Sequence, residues 1–187
     1  LQEIASVAGV DLVTMPGFDN HCCGMAFESR GYRQTGNQMR GDVLDQLKYT
    51  SCNGSIPIVV DMSPCTQFIK EGSMDYGLEI LDSVEFLSRI KSDLAFNSIN
   101  EPIFVHPVCS SRKMDMENEL IQIAKKCADS IETSMETFCC GAGGDRGFRY
   151  PSLTENSVVQ SVSSISCRKG VSSSRTCEAS LGEHVGI

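Results

Sequence analysis

The sequence predicts an α/β protein made of two similar strand–helix halves, with short, mostly parallel sheets and cysteines at the carboxyl ends of the strands. Three observations carry that prediction. Short runs rich in β-branched residues, such as residues 55–61 and 103–106, alternate with amphipathic helical stretches, such as residues 38–49 and 78–91. That alternation is the pattern of parallel strands joined by helices. The order strand, cysteine, helix recurs after about 90 residues, a spacing longer than that of solenoid repeats and closer to a duplicated domain. Finally, Cys22, Cys65, Cys109, Cys139 and Cys177 all fall at or just after predicted strand ends, where open parallel sheets bind their ligands.

Taken in order, residues 9–17 read as a short strand stopped by Pro16-Gly17, and Cys22-Cys23-Gly24 follows. Residues 38–49 carry Met39, Val43, Leu44 and Leu47 at helical spacing. Residues 55–61 are a buried strand in character, ending at Ser63-Pro64-Cys65, with a helical turn over 66–70. A second amphipathic helix is predicted over 78–91 from Leu78, Leu81, Val84, Phe86, Leu87 and Ile90. The polar stretch Phe96-Asn97-Ser98-Ile99-Asn100 marks the boundary between a first repeat, 1–98, and a second, 99–187. The second half restarts with a strand over 103–106 that delivers Cys109, then a helix over 114–128. A strand over 130–138 leads into Cys139. Ser152-Leu153-Thr154-Glu155 resembles a capping box opening a helix to about 164. A last strand over 170–176 delivers Cys177, with a short helix after it.

Composition narrows the function classes. With 187 residues, 41% hydrophobic and 21% charged, the chain reads as folded rather than disordered. A net charge of −8 argues against a nucleic-acid or anionic-membrane surface, and no apolar run approaches a membrane span. The opening Leu1-Gln2-Glu3-Ile4 is neither an initiator Met nor a signal peptide, so the chain reads as a fragment of a longer protein. Ten cysteines could form a secreted disulfide scaffold, but such scaffolds are short and loop-rich. Cysteines serving a metal in a reducing compartment fit better. The expected location is cytoplasmic, or peripheral to the inner membrane.

Adjacent cysteines rarely bond each other, because that disulfide strains the peptide between them. A soft metal or an iron–sulfur cluster can use both thiolates. In the second half, Cys109, Cys139, Cys140 and Cys177 supply four thiolates, enough for tetrahedral zinc or a four-iron cluster. Gly141, Gly143 and Gly144 would let backbone N–H groups approach the sulfurs. The first half offers Cys22, Cys23 and Cys65, with His21 beside the pair as a fourth ligand or as an ordinary hydrogen-bonded side chain. Cys52, in a polar loop, is a weaker substitute. Cys127 reads as a small core residue and Cys167 as lying outside the site. His106, three residues before Cys109, is placed either to hydrogen-bond near a cluster or to serve the core. Asp145 and Arg146 could pair with each other, and Arg175 could bring a cation near Cys177.

This ordered set resembles the cysteine-rich CCG repeats found in heterodisulfide reductases and in the iron–sulfur component of glycolate oxidase. Several stretches are more similar still to the C-terminal part of bacterial FAD-linked, iron–sulfur D-lactate dehydrogenases. They include the run from His21 to Gly31, Asp61-Met62-Ser63-Pro64-Cys65, His106-Pro107-Val108-Cys109-Ser110, the run from Cys140 to Phe148 and Ser172-Ser173-Ser174-Arg175-Thr176-Cys177. The resemblance implies a redox module of a larger enzyme with a flavin domain and a ferredoxin-like domain. FAD outside this chain would oxidise D-lactate or a similar 2-hydroxy acid, and electrons would pass through iron–sulfur centres to a quinone or cytochrome. A 4Fe-4S cluster, or zinc, is implied for the second repeat. Met62 and Ser174 stand where the reductase pattern has a further cysteine. That leaves four candidate ligand cysteines in the second repeat and three in the first. The alternative is a non-redox, zinc-bound or apo docking domain of the same enzyme.

Overall fold

Parallel pairing of short apolar strands organises the chain, as the alternation of strand and helix patterns requires. The computed structural model describes residues 1–15, 17–18, 20–133, 139–162 and 165–185. The chain divides into two units, Leu1–Leu94 and Ala95–Ile187.

In the first unit, helices α1 (Gln2–Val7), α2 (Met25–Glu28) and α3 (Arg33–Thr50) precede strand β1 (Ile58–Val60). Helix α4 (Ser63–Gly72), strand β2 (Ile80–Asp82) and helix α5 (Ser83–Ile90) follow. Strands β1 and β2 run parallel, with Ile58 opposite Ile80 and Val59 opposite Leu81. Successive strand residues point to opposite faces, and two cores result. Ile58 and Ile80 pack with Val43, Leu44 and Leu47 of α3 and Ile69 of α4. Leu81 packs on the other face with Ala5, Phe86 and Ile90, and Val59 lies against them.

In the second unit, strand β3 (Ile103–His106) is followed by helices α6 (Cys109–Lys113) and α7 (Glu117–Cys127) and strand β4 (Ile131–Thr133). Helices α8 (Arg146–Arg149) and α9 (Pro151–Val162), strand β5 (Gly170–Ser172) and helix α10 (Arg175–Val185) complete it. The sheet order is β4-β3-β5, all parallel. Its central strand, β3, is buried at every residue, which is why its sequence is apolar up to the last residue, His106. Phe104 anchors a core with Cys140, Ala142, Val158, Cys167 and Leu181.

Several expected elements differ. Residues 9–15 are not a strand. The Val10 N–H bonds the Ala5 carbonyl at 2.9 Å, and Gln2 Nε2 donates to the Leu12 carbonyl and to Thr14 Oγ1. Among the described residues no strand pairs with the segment, and a strand needs a ladder partner. Pro16 lies outside the described residues. The helix expected over 78–91 is two elements: residues 80–82 pair with β1, and Asp82 then caps α5 by accepting the Val84 N–H at 2.9 Å. The spacing of Leu78 and Leu81 suits a helix and that of Leu78 and Ile80 a strand, and pairing with β1 decides between them.

The helix expected over 114–128 begins at Glu117. Asp115, at φ 57°, separates it from α6. Helix α9 starts at Pro151, so Ser152 lies inside its first turn rather than at its cap. Strand β4 covers only Ile131–Thr133, and the rest of the stretch expected to lead into Cys139, residues 134–138, lies outside the described residues. Strand β5 ends at Ser172, before Cys177. Among the described residues no helix is long and apolar enough to cross a membrane.

Candidate metal centre

The single cysteines are delivered by helix starts rather than by strand ends. Cys65 is the third residue of α4, Cys109 the first of α6 and Cys177 the third of α10. Each helix follows a parallel strand, so its first turn sits beyond the carboxyl edge of the sheet.

The Cys-Cys-Gly loops have the same local geometry in both units. Gly24 N–H lies 3.5 Å from Cys22 Sγ, and Gly141 N–H lies 3.4 Å from Cys139 Sγ. Both glycines are left-handed, at φ 90° and 72°. Both also bring backbone against the following long helix. A Cβ on Gly24 would meet the Gly36 carbonyl oxygen of α3 at 2.2 Å. One on Gly141 would meet the Leu153 oxygen and the Thr154 Cα of α9, each at 2.7 Å. The glycine is therefore required twice, for conformation and for space.

In the second unit the four expected cysteines come together. Cys140 Sγ lies 2.9 Å from Cys177 Sγ. Cys139 interacts with both Cys109 and Cys140. The pair's carbonyls are tied to the flanking helices: Ser157 Oγ of α9 donates to the Cys139 carbonyl at 2.6 Å, and Ser180 Oγ of α10 to the Cys140 carbonyl at 2.8 Å. The hydroxyls of Ser111 and Ser173, 2.9 Å apart, link α6, which carries Cys109, to the loop before Cys177. Cys109 and Cys139 are exposed, Cys177 is half-buried and Cys140 is buried.

The four thiols shift one another in opposite directions. Hydrogen bonds from Cys109 and Cys140 hold Cys139 far below the ordinary thiol value, and the Gly141 N–H and the field of His106 add to them against burial. Cys177 is lowered to about 5, first by Cys140 and then by His106 and Ser174, again against burial. Cys109 is raised by donating to Cys139 and by burial. Cys140 is raised by Cys139, by Cys177 and by burial. Sulfurs that lower and raise one another in this way are a donor set that a soft cation would complete by displacing their protons. That chemistry fits a metal or an iron–sulfur centre.

His106 is the residue that the cysteine pattern left in second place. It is 1% exposed at the end of β3. Its ring nitrogen and the sulfurs of Cys140 and Cys177 all lie within 4.8 Å of one another. The available signal was its position as the last residue of an apolar strand, immediately before a helix that starts on a cysteine.

The first unit gathers Cys22, Cys23 and Cys65. Cys23 is lowered to about 6 by Cys65, with the Met25 N–H and Cys22 assisting against burial, and Cys65 is raised by Cys23 and by burial. His21 faces elsewhere. Its Nδ1 is 3.0 Å from the Gly17 carbonyl, and its ring centroid is 5.2 Å from that of Phe18. Cys52 is exposed in the turn after α3. Cys127 ends α7 and is half-buried, and its thiol is raised by burial. Cys167 is buried in the Phe104 core. Arg175 pairs with Glu178 at 2.8 Å, and Asp145 with Arg149 at 3.2 Å.

The sequence model of the family described as "Cysteine-rich domain" (CCG) matches residues 1–70 and again residues 103–182. No curated protein and no solved structure gives a significant match. The two matched stretches contain Cys22, Cys23 and Cys65 in the first and Cys109, Cys139, Cys140 and Cys177 in the second.

Proposed function

The chain belongs to the cysteine-rich CCG family, and on that premise we propose that it is the redox module of a flavin-dependent D-lactate, or similar 2-hydroxy-acid, dehydrogenase. Its two repeats are 1–98 and 99–187, and the second holds a 4Fe-4S cluster through Cys109, Cys139, Cys140 and Cys177. When bound, such a cluster supplies one-electron storage between a two-electron flavin donor and a quinone or cytochrome acceptor. The observation that carries this reading is the meeting of four thiols, drawn from three separate helix starts and loops, at one edge of the β4-β3-β5 sheet. The residues of this chain orient the sulfurs and aim the Gly141 N–H at one of them. FAD and the ferredoxin-like domain belong to other parts of the same enzyme.

The test is anaerobic purification and reconstitution of the full chain, with iron and acid-labile sulfide analysis and EPR after reduction. About four irons and four sulfides per second repeat are expected, together with loss of that signal in Cys140→Ser. A colourless protein without a cluster after reconstitution refutes the reading. If zinc is then the sole metal, and dehydrogenase activity survives Cys139→Ser and Cys140→Ser in the full enzyme, the chain is a docking domain.

A further inference from the structure

We propose that the exposed corner from Phe27 to Arg33 is a docking surface for an acidic protein segment, one that sets carboxylates around an apolar centre. Such docking goes beyond the redox function and needs no cluster.

The corner is a repeated device. Arg30-Gly31-Tyr32-Arg33 follows the first Cys-Cys-Gly loop, and Arg146-Gly147-Phe148-Arg149 follows the second. Each leads into the helix against which its loop glycine packs, α3 from Arg33 and α9 from Pro151. The aromatic ring faces solvent in both, Tyr32 at 63% exposure and Phe148 at 56%. The second arginine leans on an acid of the preceding loop in both, Arg33 on Glu28 at 3.6 Å and Arg149 on Asp145 at 3.2 Å. The backbones nevertheless differ: Gly31 is exposed at φ 89°, whereas Gly147 is buried and donates to the Ala142 carbonyl at 2.8 Å. Rings this exposed contribute little to a core, so packing does not account for their recurrence, whereas contact with a partner does.

Charge names the partner. From Ser29 to Gly41 the chain carries Arg30, Arg33 and Arg40 and no acid, on a molecule of net charge −8. Arg33 opens the 18-residue helix α3, which has no side-chain cap and no acid in its first turn. A cation is unfavourable at that end of a helix, and a partner's carboxylate supplies what is missing. The pair with Glu28 does not satisfy Arg33, whose side chain is 82% exposed, because such pairs are weak. The second corner is less basic, since Glu183 lines the same cleft as Phe148. The first is therefore the stronger site. A bilayer is a poorer occupant, because anionic lipid repels a chain of this charge.

The corner is also stiff. The N–H groups of Arg30 and Tyr32 both donate to the Phe27 carbonyl, at 3.1 and 3.0 Å. Gly31 N–H donates to the Glu28 carbonyl and Gly36 N–H to the Tyr32 carbonyl, each at 2.9 Å. Phe27, itself exposed, lies one tight turn from Tyr32. Two rings and two arginines on a fixed backbone lose little freedom on docking.

The experiment is fluorescence anisotropy of the reduced, metal-free full chain with a labelled glutamate-rich peptide containing one central phenylalanine, and with its lysine-for-glutamate counterpart. The glutamate peptide should bind, and weaken about 10-fold between about 50 and about 500 mM salt. Arg30→Glu with Arg33→Glu should weaken it by more than about 10-fold, and Tyr32→Ala by about 3–10-fold. Lys125→Glu with Lys126→Glu, on exposed positions of α7, changes the net charge by the same amount. That control should stay within about twofold of wild type.

No binding of the glutamate peptide up to about 1 mM overturns the proposal. So does equal binding of the lysine peptide, or an equal loss in the Lys125 and Lys126 control. If Arg30→Glu with Arg33→Glu fails to fold by circular dichroism, Arg33→Gln takes its place, and an unchanged affinity there overturns it. Adhesion to phosphatidylglycerol vesicles that Tyr32→Ala abolishes, without peptide binding, assigns the corner to a membrane instead. The chain is metal-free throughout, so none of these results bears on the cluster.

Discussion

Replacing Gly141 with alanine sets conformation and packing against each other at one atom. At φ 72°, alanine takes on a left-handed backbone that costs about 1–2 kcal/mol. Its Cβ would also lie 2.7 Å from the Leu153 oxygen, 2.7 Å from the Thr154 Cα and 2.9 Å from the Ser157 Cβ. The first two are backbone atoms and cannot rotate away, so the loop and α9 must part, at a further cost of about 1–3 kcal/mol. The total expected loss is about 2–5 kcal/mol. Gly143 is the internal control. Its φ of 51° carries the same conformational cost, but its added Cβ meets nothing closer than Arg146 Cδ at 3.7 Å. Gly143→Ala should therefore lose only about 1–2 kcal/mol.

Urea unfolding of the metal-free, reduced chain separates the two variants, read by pulse labelling of the buried thiols of Cys140 and Cys167. With a denaturant dependence of about 2 kcal/mol per molar, Gly141→Ala should lower the midpoint by about 1–2.5 M and Gly143→Ala by about 0.5–1 M. Displacing α9 also releases the Ser157 hydrogen bond to the Cys139 carbonyl. Gly141→Ala should therefore weaken metal uptake while Gly143→Ala retains it. Equal midpoint shifts in the two variants would refute the close-approach argument.

Three further outcomes are expected. Phe104→Ala removes the anchor of the core that also contains Cys140; it should cost about 3–5 kcal/mol in urea unfolding and loosen the site with it. Cys127→Ala should leave metal content of the full chain unchanged, whereas Cys140→Ser should lower it, and equal losses would show that the metal lies elsewhere. Burial raises Glu85, but Lys70 at 2.7 Å and Arg89 at 3.1 Å outweigh it and hold its carboxyl below the usual range. A depressed acid stabilises the fold above its unfolded value and loses that contribution as pH falls through the folded one. Glu85→Gln should therefore cost up to about 1 kcal/mol at pH 7 and approach zero in acid, measured as paired thermal unfolding curves.

Much of the site was legible because its parts are covalently local. Cys139-Cys140-Gly141 and Cys22-Cys23-Gly24 carry their own turn, and an amide two residues on can reach the first sulfur in each. The run Ile103-Phe104-Val105-His106 is apolar up to its last residue, and a strand covered on both sides accounts for that. Where local pattern served two periods, it misled. Residues 78–82 suit a helix until β1 offers an open parallel edge. Residues 9–15 suit a strand, but no ladder partner lies beside them among the described residues.

The sequence by itself determined the fold class and the twice-matched cysteine-rich family, because periodicity, glycine chemistry and cysteine order are properties of the chain. Only the tertiary structure decided which donors face one another. The register of β3 against β5 sets His106 opposite Ser172 and so beside Cys177. The approach of α9 and α10 fixes the carbonyls of the cysteine pair. His21, adjacent to its cysteines in sequence, turns to Gly17 and Phe18 instead. Neighbours along a chain need not share a face, whereas residues brought side by side by a hydrogen-bonded ladder must lie within a few ångströms of one another.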